Sequence, residues 1–213
     1  MKRLAAVYGG SAPHHRTLNE PKYRRCLSEL IYLPDLPHAD LSRVDGLLIP
    51  ERLHQGKLGA AADQVLGFLE SGGCVIAFGG GEHPPSWLPG LIWEPRPTNF
   101  WWWLEPGATG GLSFPHPVHS LFRFITPADA TWHYHGVLHP PPGAEVLIGL
   151  EEGGAVCYLD RESTPGTLLV AALDPISHFG SYFMPASERF LDGFLPWVVW
   201  DLLEMTPANP LGC

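Results

Sequence analysis

The chain has 213 residues, a length that fits one domain with a full core, and 45% of them are hydrophobic, which excludes intrinsic disorder. Its formal net charge is −9 and no basic stripe is visible, which excludes nucleic acid as the main partner because phosphate binding needs clustered Lys and Arg. No stretch reaches the ~18 apolar residues of a membrane helix, and the four cysteines match no zinc spacing. These features predict a cytoplasmic protein with no membrane partner.

The first part of the chain alternates predicted strands and helices. Apolar runs at 4–8, 45–49 and 74–78 predict buried strands, and three glycines end the last of them. Asn19 is an N-cap signal for a helix running to about residue 30, and apolar residues at helical spacing predict another helix over 58–69. Strands and helices joined by short loops form βαβ units, so we expect half of an open α/β sheet here.

Residues 84–142 have a different composition. They are rich in proline and aromatic residues, include Trp101-Trp102-Trp103, and show no clear helical period. We expect a lid, an insertion or an interface segment. At least one of the three tryptophans should be exposed or lie in an interface, because side chains that alternate in direction cannot all point inward.

The last part of the chain returns to regular patterns. The runs at 145–150 and 155–159 predict a hairpin, and 167–173 predicts one more strand. Ser187 is an N-cap signal for a final helix, which Pro196 should kink or divide. The predicted fold class is a single α/β domain over 1–213. It has an open, mostly parallel sheet of flavodoxin-like type with helices on both faces, a long insertion and some antiparallel strands.

Several segments resemble a known superfamily. Residues 45–50, followed by a helix and then by 72–81, resemble the strand, helix and nucleophile-elbow strand at the centre of the class I glutamine-amidotransferase-like superfamily. His116-Pro117 and the runs at 144–147 and 166–173 resemble its trehalose-utilisation (ThuA-like) branch. The resemblance implies the α/β architecture and, for that branch, a carbohydrate-like ligand.

The chain departs from the superfamily where the superfamily carries its chemistry. The elbow of glutamine amidotransferases reads G-x-C-x-G, and Gly79 stands here at the cysteine position. Cys74 lies at the beginning of the predicted strand, at the wrong end of the sheet. His178 has no acidic residue two positions later, so the partner H-x-E motif is also missing. We therefore expect no glutamine hydrolysis by a thiolate.

The candidate site follows from the strand ends, because ligands of open α/β sheets collect at the carboxyl ends of the strands. Glu82 and His83 suit general acid–base chemistry, and Asp174 and His178 join them as predicted catalytic residues. The triple glycine leaves backbone N–H groups accessible to an anion or a carbonyl, or only forms a tight turn. The predicted ligand-binding residues are Gly10, Ser11, Glu51, Arg52, Gly79, Gly80, Gly81 and His135.

The 11 histidines leave a metal site open as an alternative, although the first interpretation predicts no cofactor. His133 and His135 would share one face of an extended segment, and His116 and His119 would share one face of a helical turn. Together with His178 and Glu82 they could supply three ligands to a divalent metal and leave one position for water.

Two functions of different classes are compatible with these patterns. The first is a protein without glutaminase chemistry that binds or processes a small carbohydrate-like molecule, with a metal-dependent hydrolase as a variant. The second is a non-catalytic scaffold that assembles through the aromatic segment. The tryptophan run and the charged fraction of only 16% predict a homodimer.

Overall fold

The structure is a computed structural model that describes residues 2–79, 84–96, 101, 104–132, 134–182 and 184–205. In these residues ten strands form one mixed sheet, ordered β2-β1-β3-β4-β10-β9-β7-β5, with β8 paired to β9 and β6 paired to β8. The strands are Leu4–Tyr8 (β1), Glu29–Tyr32 (β2), Gly46–Ile49 (β3), Cys74–Phe78 (β4), Trp93–Pro95 (β5), Leu112–Ser113 (β6), Gly136–Leu138 (β7), Glu145–Leu150 (β8), Ala155–Asp160 (β9) and Thr167–Ala171 (β10).

One half of the sheet is parallel and the other half is antiparallel. Strands β2, β1, β3, β4 and β10 all run in the same direction. Every residue of β4 and β10 is buried, as expected for parallel strands that are covered on both faces. Strand β9 pairs antiparallel with β10, β8 and β7, and it joins the second half to the first. This mixed sheet confirms the predicted α/β class.

The helices pack on both faces of the sheet. Phe78 at the end of β4 contacts Phe190 and Phe194 of the long C-terminal helix. A side chain at Gly73, directly before β4, would instead point at Phe68. Phe68 belongs to the helix Ala62–Glu70. Successive strand residues point to opposite faces, and positions 73 and 78 are an odd number of residues apart, so their side chains point to opposite faces. The two helices therefore lie on opposite sides of the sheet. The helices are Ala12–Asn19 (α1), Pro21–Arg24 (α2), Gln55–Gly59 (α3), Ala62–Glu70 (α4), Pro127–Ala130 (α5), Pro175–Gly180 (α6), Pro185–Trp197 (α7) and Leu203–Met205 (α8).

The helix predicted from Asn19 to about residue 30 is much shorter than expected, and the helix before it was not predicted. Helix α1 begins earlier, because Ser11 is its N-cap and accepts a hydrogen bond from the backbone N–H of His14, with Pro13 in the first turn. Asn19 is the last residue of α1, and its side-chain amide donates to the carbonyl of His15. The helix that follows Glu20 ends after four residues at Arg24.

Two other predicted helices differ in their bounds. The helix predicted over 58–69 is divided into α3 and α4. Met184 and not Ser187 precedes the first residue of α7, and the Ser187 hydroxyl donates to the Met184 carbonyl. Pro196 lacks an N–H group, and α7 ends one residue after it and continues as a π-helical turn, Val198–Leu202.

Residues 84–142 are part of the sheet, since they supply β5, β6 and β7. Trp87 and Trp93 are half-buried against the core, whereas Trp101 is 55% exposed, which confirms that one tryptophan of the run faces solvent. Trp102 and Trp103 lie outside the described residues. None of the described helices has the length and apolar character needed to cross a membrane.

Helices α1 and α6 touch through a glycine. A Cβ atom at Gly180 would overlap the backbone of Pro13. We expect Gly180→Ala to lower the free energy of unfolding by about 1–3 kcal/mol. The new Cβ atom would clash with the Pro13 backbone, which cannot move aside as a flexible side chain does. Urea denaturation followed by circular dichroism measures the change.

Gly67, inside α4, is the matched control. A Cβ atom there meets nothing within 4 Å. We expect Gly67→Ala to stabilise the protein by roughly 0.5–1 kcal/mol through helix propensity alone. If both alanine variants changed the stability in the same direction, the contact between α1 and α6 would not be as close as described.

Candidate functional site

Asp174 is the centre of a group of polar side chains at the carboxyl edge of the sheet. Its side chain has 0% exposure. The Arg52 guanidinium Nη2 lies 2.7 Å from Oδ2, and His135 Nε2 lies 3.3 Å from the same oxygen. His178 Nε2 lies 2.9 Å from Oδ1. A carboxylate without exposure is costly unless it is paired, and here one guanidinium and two imidazoles surround it.

The local sequence explains how these groups meet. Asp174 is the N-cap residue of α6, three positions after the end of β10, and His178 follows one helical turn later. Residues four apart on a helix are neighbours on one face, which brings the imidazole to the carboxylate. Arg52 follows β3, and β3, β4 and β10 are parallel, so their carboxyl ends share this edge. His135 directly precedes β7 and reaches the group from the antiparallel half.

The charge state of Asp174 is set by its partners. Burial alone would raise the pKa of Asp174, but the hydrogen bonds from His135 and His178 and their positive charge outweigh that effect. The pKa therefore lies far below the ordinary value. Asp174 is ionised at neutral pH and balances the positive charge of Arg52.

Glu51 has the opposite protonation behaviour although it belongs to the same edge. It is 1% exposed, its Oε1 accepts a hydrogen bond from the backbone N–H of Ser177, and its Oε2 has no partner among the described residues. Burial raises the pKa of Glu51 to about 8, and the negative charge of Asp174 adds to the rise. Two carboxyl groups with pKa values driven apart are typical of sites that hold an acid and a base.

His14 supports Glu51 from α1. Its Nε2 lies 2.9 Å from the carbonyl oxygen of Glu51, and because a carbonyl only accepts, Nε2 carries the proton. Burial lowers the pKa of His14, so the imidazole is neutral. His14 thus fixes the backbone at the end of β3, where Arg52 follows with a positive φ of 60°.

A cavity of about 320 Å³ opens beside His178. Its volume falls in the range of small-ligand pockets. The Arg16 guanidinium stacks on the ring of Tyr182, which is 80% exposed and has a φ of 57°. A large residue with positive φ is strained, and such strain is often found at binding sites. The lining residues are Arg16, His178, Phe179, Tyr182, Met184, Pro185 and Glu188.

The other predicted site residues that the structure describes are Gly10, Ser11 and Gly79. Gly10 has a φ of 87° in the turn after β1, and Ser11 is occupied as the N-cap of α1. Pro84 packs where a Cβ atom of Gly79 would stand, so the expected open floor is covered at this point. Gly80, Gly81, Glu82 and His83 lie outside the described residues.

The structure does not bring together all the histidines that the sequence offered as metal ligands. His119 lies beside Glu145 and the ring of Trp197, and it accepts a hydrogen bond from the backbone N–H of Leu121. His116 is exposed at the preceding turn. Among the described residues, the side chains that could hold a metal ion are His135, Asp174 and His178, whose ligand atoms all lie within 4.8 Å of one another. His133 lies outside the described residues.

Three residues near the site were not predicted from the sequence. Arg16 and Tyr182 line the cavity, and His14 supports Glu51. The pair His14-His15 after a Ser-Ala-Pro cap could have indicated that a histidine faces the sheet from α1. Nothing in the local sequence indicates the positive φ of Tyr182.

No family model and no curated protein matches the sequence. Solved structures do match the fold, and the three described here each cover 93% of this chain. The IFT52 N-terminal domain (mmIFT52) has a TM-score of 0.54 and 13% identity, with 97% of that chain covered. A protein assigned as a GMP synthase subunit, from Thermoplasma acidophilum, has a TM-score of 0.52 and 13% identity, with 96% covered.

A third match is the exo-β-1,4-mannosidase Op5Man5 from Opitutaceae bacterium strain TAV5, with a TM-score of 0.52 and 12% identity, of which this chain covers 36%. At these identities the likenesses show the fold alone. The match to the GMP synthase protein is consistent with the glutamine-amidotransferase-like architecture expected from the sequence.

Proposed function

We propose that the protein binds and processes a small, polar, carbohydrate-like molecule at the carboxyl edge of the parallel strands, without glutaminase chemistry. The observation that carries this proposal is the group formed by Asp174, His178, His135 and Arg52, of which His178 also lines the neighbouring cavity. An ionised, fully buried carboxylate that fixes two imidazoles is a costly arrangement for a purely structural purpose. Its position agrees with the usual place of ligands in this architecture.

The cavity supports a sugar-like ligand with oxygen-rich or anionic groups. Tyr182 and Phe179 offer aromatic surface for the apolar face of a sugar ring. Arg16 lines the cavity and Arg52 belongs to the group around Asp174, and guanidinium groups bind carboxylates and phosphates well. The carbohydrate class comes from the resemblance to the ThuA-like branch, and the charged side chains favour sugar acids or sugar phosphates within it.

The described cysteines support the absence of thiolate chemistry. Cys26, Cys74 and Cys157 are buried, and burial raises the pKa of Cys157 to about 12. A thiol of this kind is not ionised at neutral pH and cannot serve as a nucleophile.

Tyr182 offers a direct test. We expect Tyr182→Gly to weaken ligand binding at least about tenfold, because the stacking surface is lost. Stability should stay within about 1 kcal/mol of the wild type, since glycine relieves the positive φ while the stacking of Arg16 is lost. Thermal shift and calorimetry against neutral sugars, sugar acids and sugar phosphates, in buffer containing EDTA, measure both quantities.

Tyr182→Phe is the matched control because it keeps the ring and removes the hydroxyl. We expect binding close to that of the wild type. If no member of the panel bound the wild type, or if Tyr182→Gly bound as tightly as the wild type, a carbohydrate site in this cavity would be ruled out.

A further inference from the structure

We infer that His135, Asp174 and His178 form a binding site for one divalent transition-metal ion, of the Zn²⁺ type. This inference rests on the proposed function for its role in a reaction, whereas the binding of the ion can be measured alone. Two imidazoles and one carboxylate are the ligand set found in catalytic zinc sites and in two-histidine, one-carboxylate iron sites. In both kinds of site at least one coordination position stays available for water or a ligand.

The distances fit an ion with little rearrangement. With metal–ligand bonds of about 2.0–2.1 Å, neighbouring ligand atoms in a tetrahedral site lie roughly 3.3 Å apart. The Nε2 atoms of His178 and His135 lie 2.9 and 3.3 Å from the oxygens of Asp174. All three ligand atoms are within 4.8 Å of one another. Both imidazoles therefore already direct the same nitrogen toward the carboxylate, and small side-chain rotations would admit the ion.

The surroundings also suit a bound ion. A carboxylate has two oxygens with several lone pairs, so Asp174 can keep Arg52 on Oδ2 and still bind a cation. Carboxylate ligands of metals are usually held by such outer hydrogen bonds. The site is also largely buried, since Asp174 has no exposure, His178 is 8% exposed and His135 is 17% exposed. Low exposure strengthens the attraction between the carboxylate and the cation.

The neighbouring cavity indicates a catalytic role for the ion. His178 lines that cavity, so a ligand bound there would lie beside one of the three proposed metal ligands. A cation in this place would polarise an oxygen of the ligand or activate a water molecule for hydrolysis. The class of reaction implied is metal-assisted hydrolysis of a polar small molecule.

The test uses Zn²⁺ and Co²⁺ alone, with the full chain carrying Cys213→Ser so that this thiol, which lies outside the described residues, cannot bind the ion. Equilibrium dialysis with elemental analysis gives the stoichiometry, and the visible spectrum of bound Co²⁺ reports its coordination. We expect about one ion per chain. We expect His135→Gln and Asp174→Asn each to weaken binding at least about 100-fold, since removing a direct ligand costs more than removing an outer contact.

His139→Gln is the matched control, because His139 is an exposed histidine that pairs with Glu94. It should bind the ion as the wild type does, and circular dichroism should show that all variants are folded. Binding of less than about 0.1 ion per chain by the wild type, or unchanged binding by His135→Gln, would overturn the inference. Sugar binding in EDTA would survive that result, so the two proposals can fail separately.

Discussion

Asp174→Asn should lower the free energy of unfolding at pH 7 by on the order of 3 kcal/mol. The substitution keeps the shape of the side chain but removes the negative charge that Arg52, His135 and His178 surround. The neutral amide can accept hydrogen bonds only at its oxygen, and its NH₂ group would face the donors of the surrounding side chains. This loss of stability is smaller than the largest losses seen when one partner of a buried ion pair is removed. The reason is that the Arg52 side chain is 49% exposed, so water hydrates its guanidinium when the negative charge of Asp174 is removed. Urea denaturation of both proteins measures the difference.

The difference should also depend on pH in a defined direction. The pKa of Asp174 is lower in the folded protein than in the unfolded chain, so the carboxylate contributes its stability above an unfolded pKa of about 3.9. That contribution is lost as the pH falls below this value toward the folded pKa. The wild type and Asp174→Asn should therefore differ least in strong acid.

Asp160→Asn is the matched comparison for Asp174→Asn. Asp160 is another buried aspartate, but it accepts hydrogen bonds from the backbone N–H groups of Glu162 and Ser163 and has no histidine partner among the described residues. Its substitution should cost stability and leave ion and sugar binding unchanged. A stability of Asp174→Asn within about 0.5 kcal/mol of the wild type would show that the group around Asp174 is not formed as described.

Glu51→Gln should have the opposite effect and stabilise the protein at pH 7 by on the order of 3 kcal/mol. The pKa of Glu51 is about 8 in the folded protein, against an ordinary value near 4.5. Between these values the unfolded chain releases the proton and the folded protein keeps it, so stability falls as the pH rises through this window. Glutamine has no proton to release, and its carbonyl oxygen still accepts from Ser177.

The pH profile separates this effect from a packing change. Glu51→Gln and the wild type should be equally stable near pH 4, and the gain of the variant should grow up to about pH 8 and then level off. Glu29→Gln, at an exposed glutamate of β2, should show no such profile. Equal destabilisation by Glu51→Gln at every pH would mean that the residue is needed for packing and not held as an acid.

A stabilising Glu51→Gln would have a functional meaning. A residue that lowers stability at neutral pH is kept where it serves another purpose, and binding sites commonly trade stability in this way. Glu51 would then be a proton donor or store beside Asp174. Loss of ligand processing in a more stable variant is the combination that would support this role.

The strands could be predicted from the sequence much better than the helix ends. The runs that form β1, β4, β8 and β10 are apolar and bounded by glycine, proline or charged residues. Each of them therefore predicts a strand from the local sequence alone. The first helix was missed, although Ser11-Ala12-Pro13 has the same pattern of a cap residue and a proline two positions later as Asn19-Glu20-Pro21. The structure uses the first for a full helix, which packs against α6 through Gly180, and that contact is not visible locally.

The candidate site was predictable only where it depends on strand ends. The strand ends predicted that Glu51, Arg52, Asp174 and His178 gather at one edge, because the carboxyl ends of parallel strands meet there. The arrival of His135 depends on how the antiparallel half folds back. The strained Tyr182 and the partner it finds in Arg16 depend on tertiary packing, which no periodicity in the sequence encodes.

The contact between Pro84 and Gly79 limits which residues can stand at position 79. The proline fills the position of a side chain at residue 79, so a cysteine there would first need Pro84 to move. A Gly79→Cys substitution alone therefore would not place a thiol at the end of β4 without displacing the proline. The polar groups of the candidate site instead lie one strand away on each side of β4, after β3 and β10.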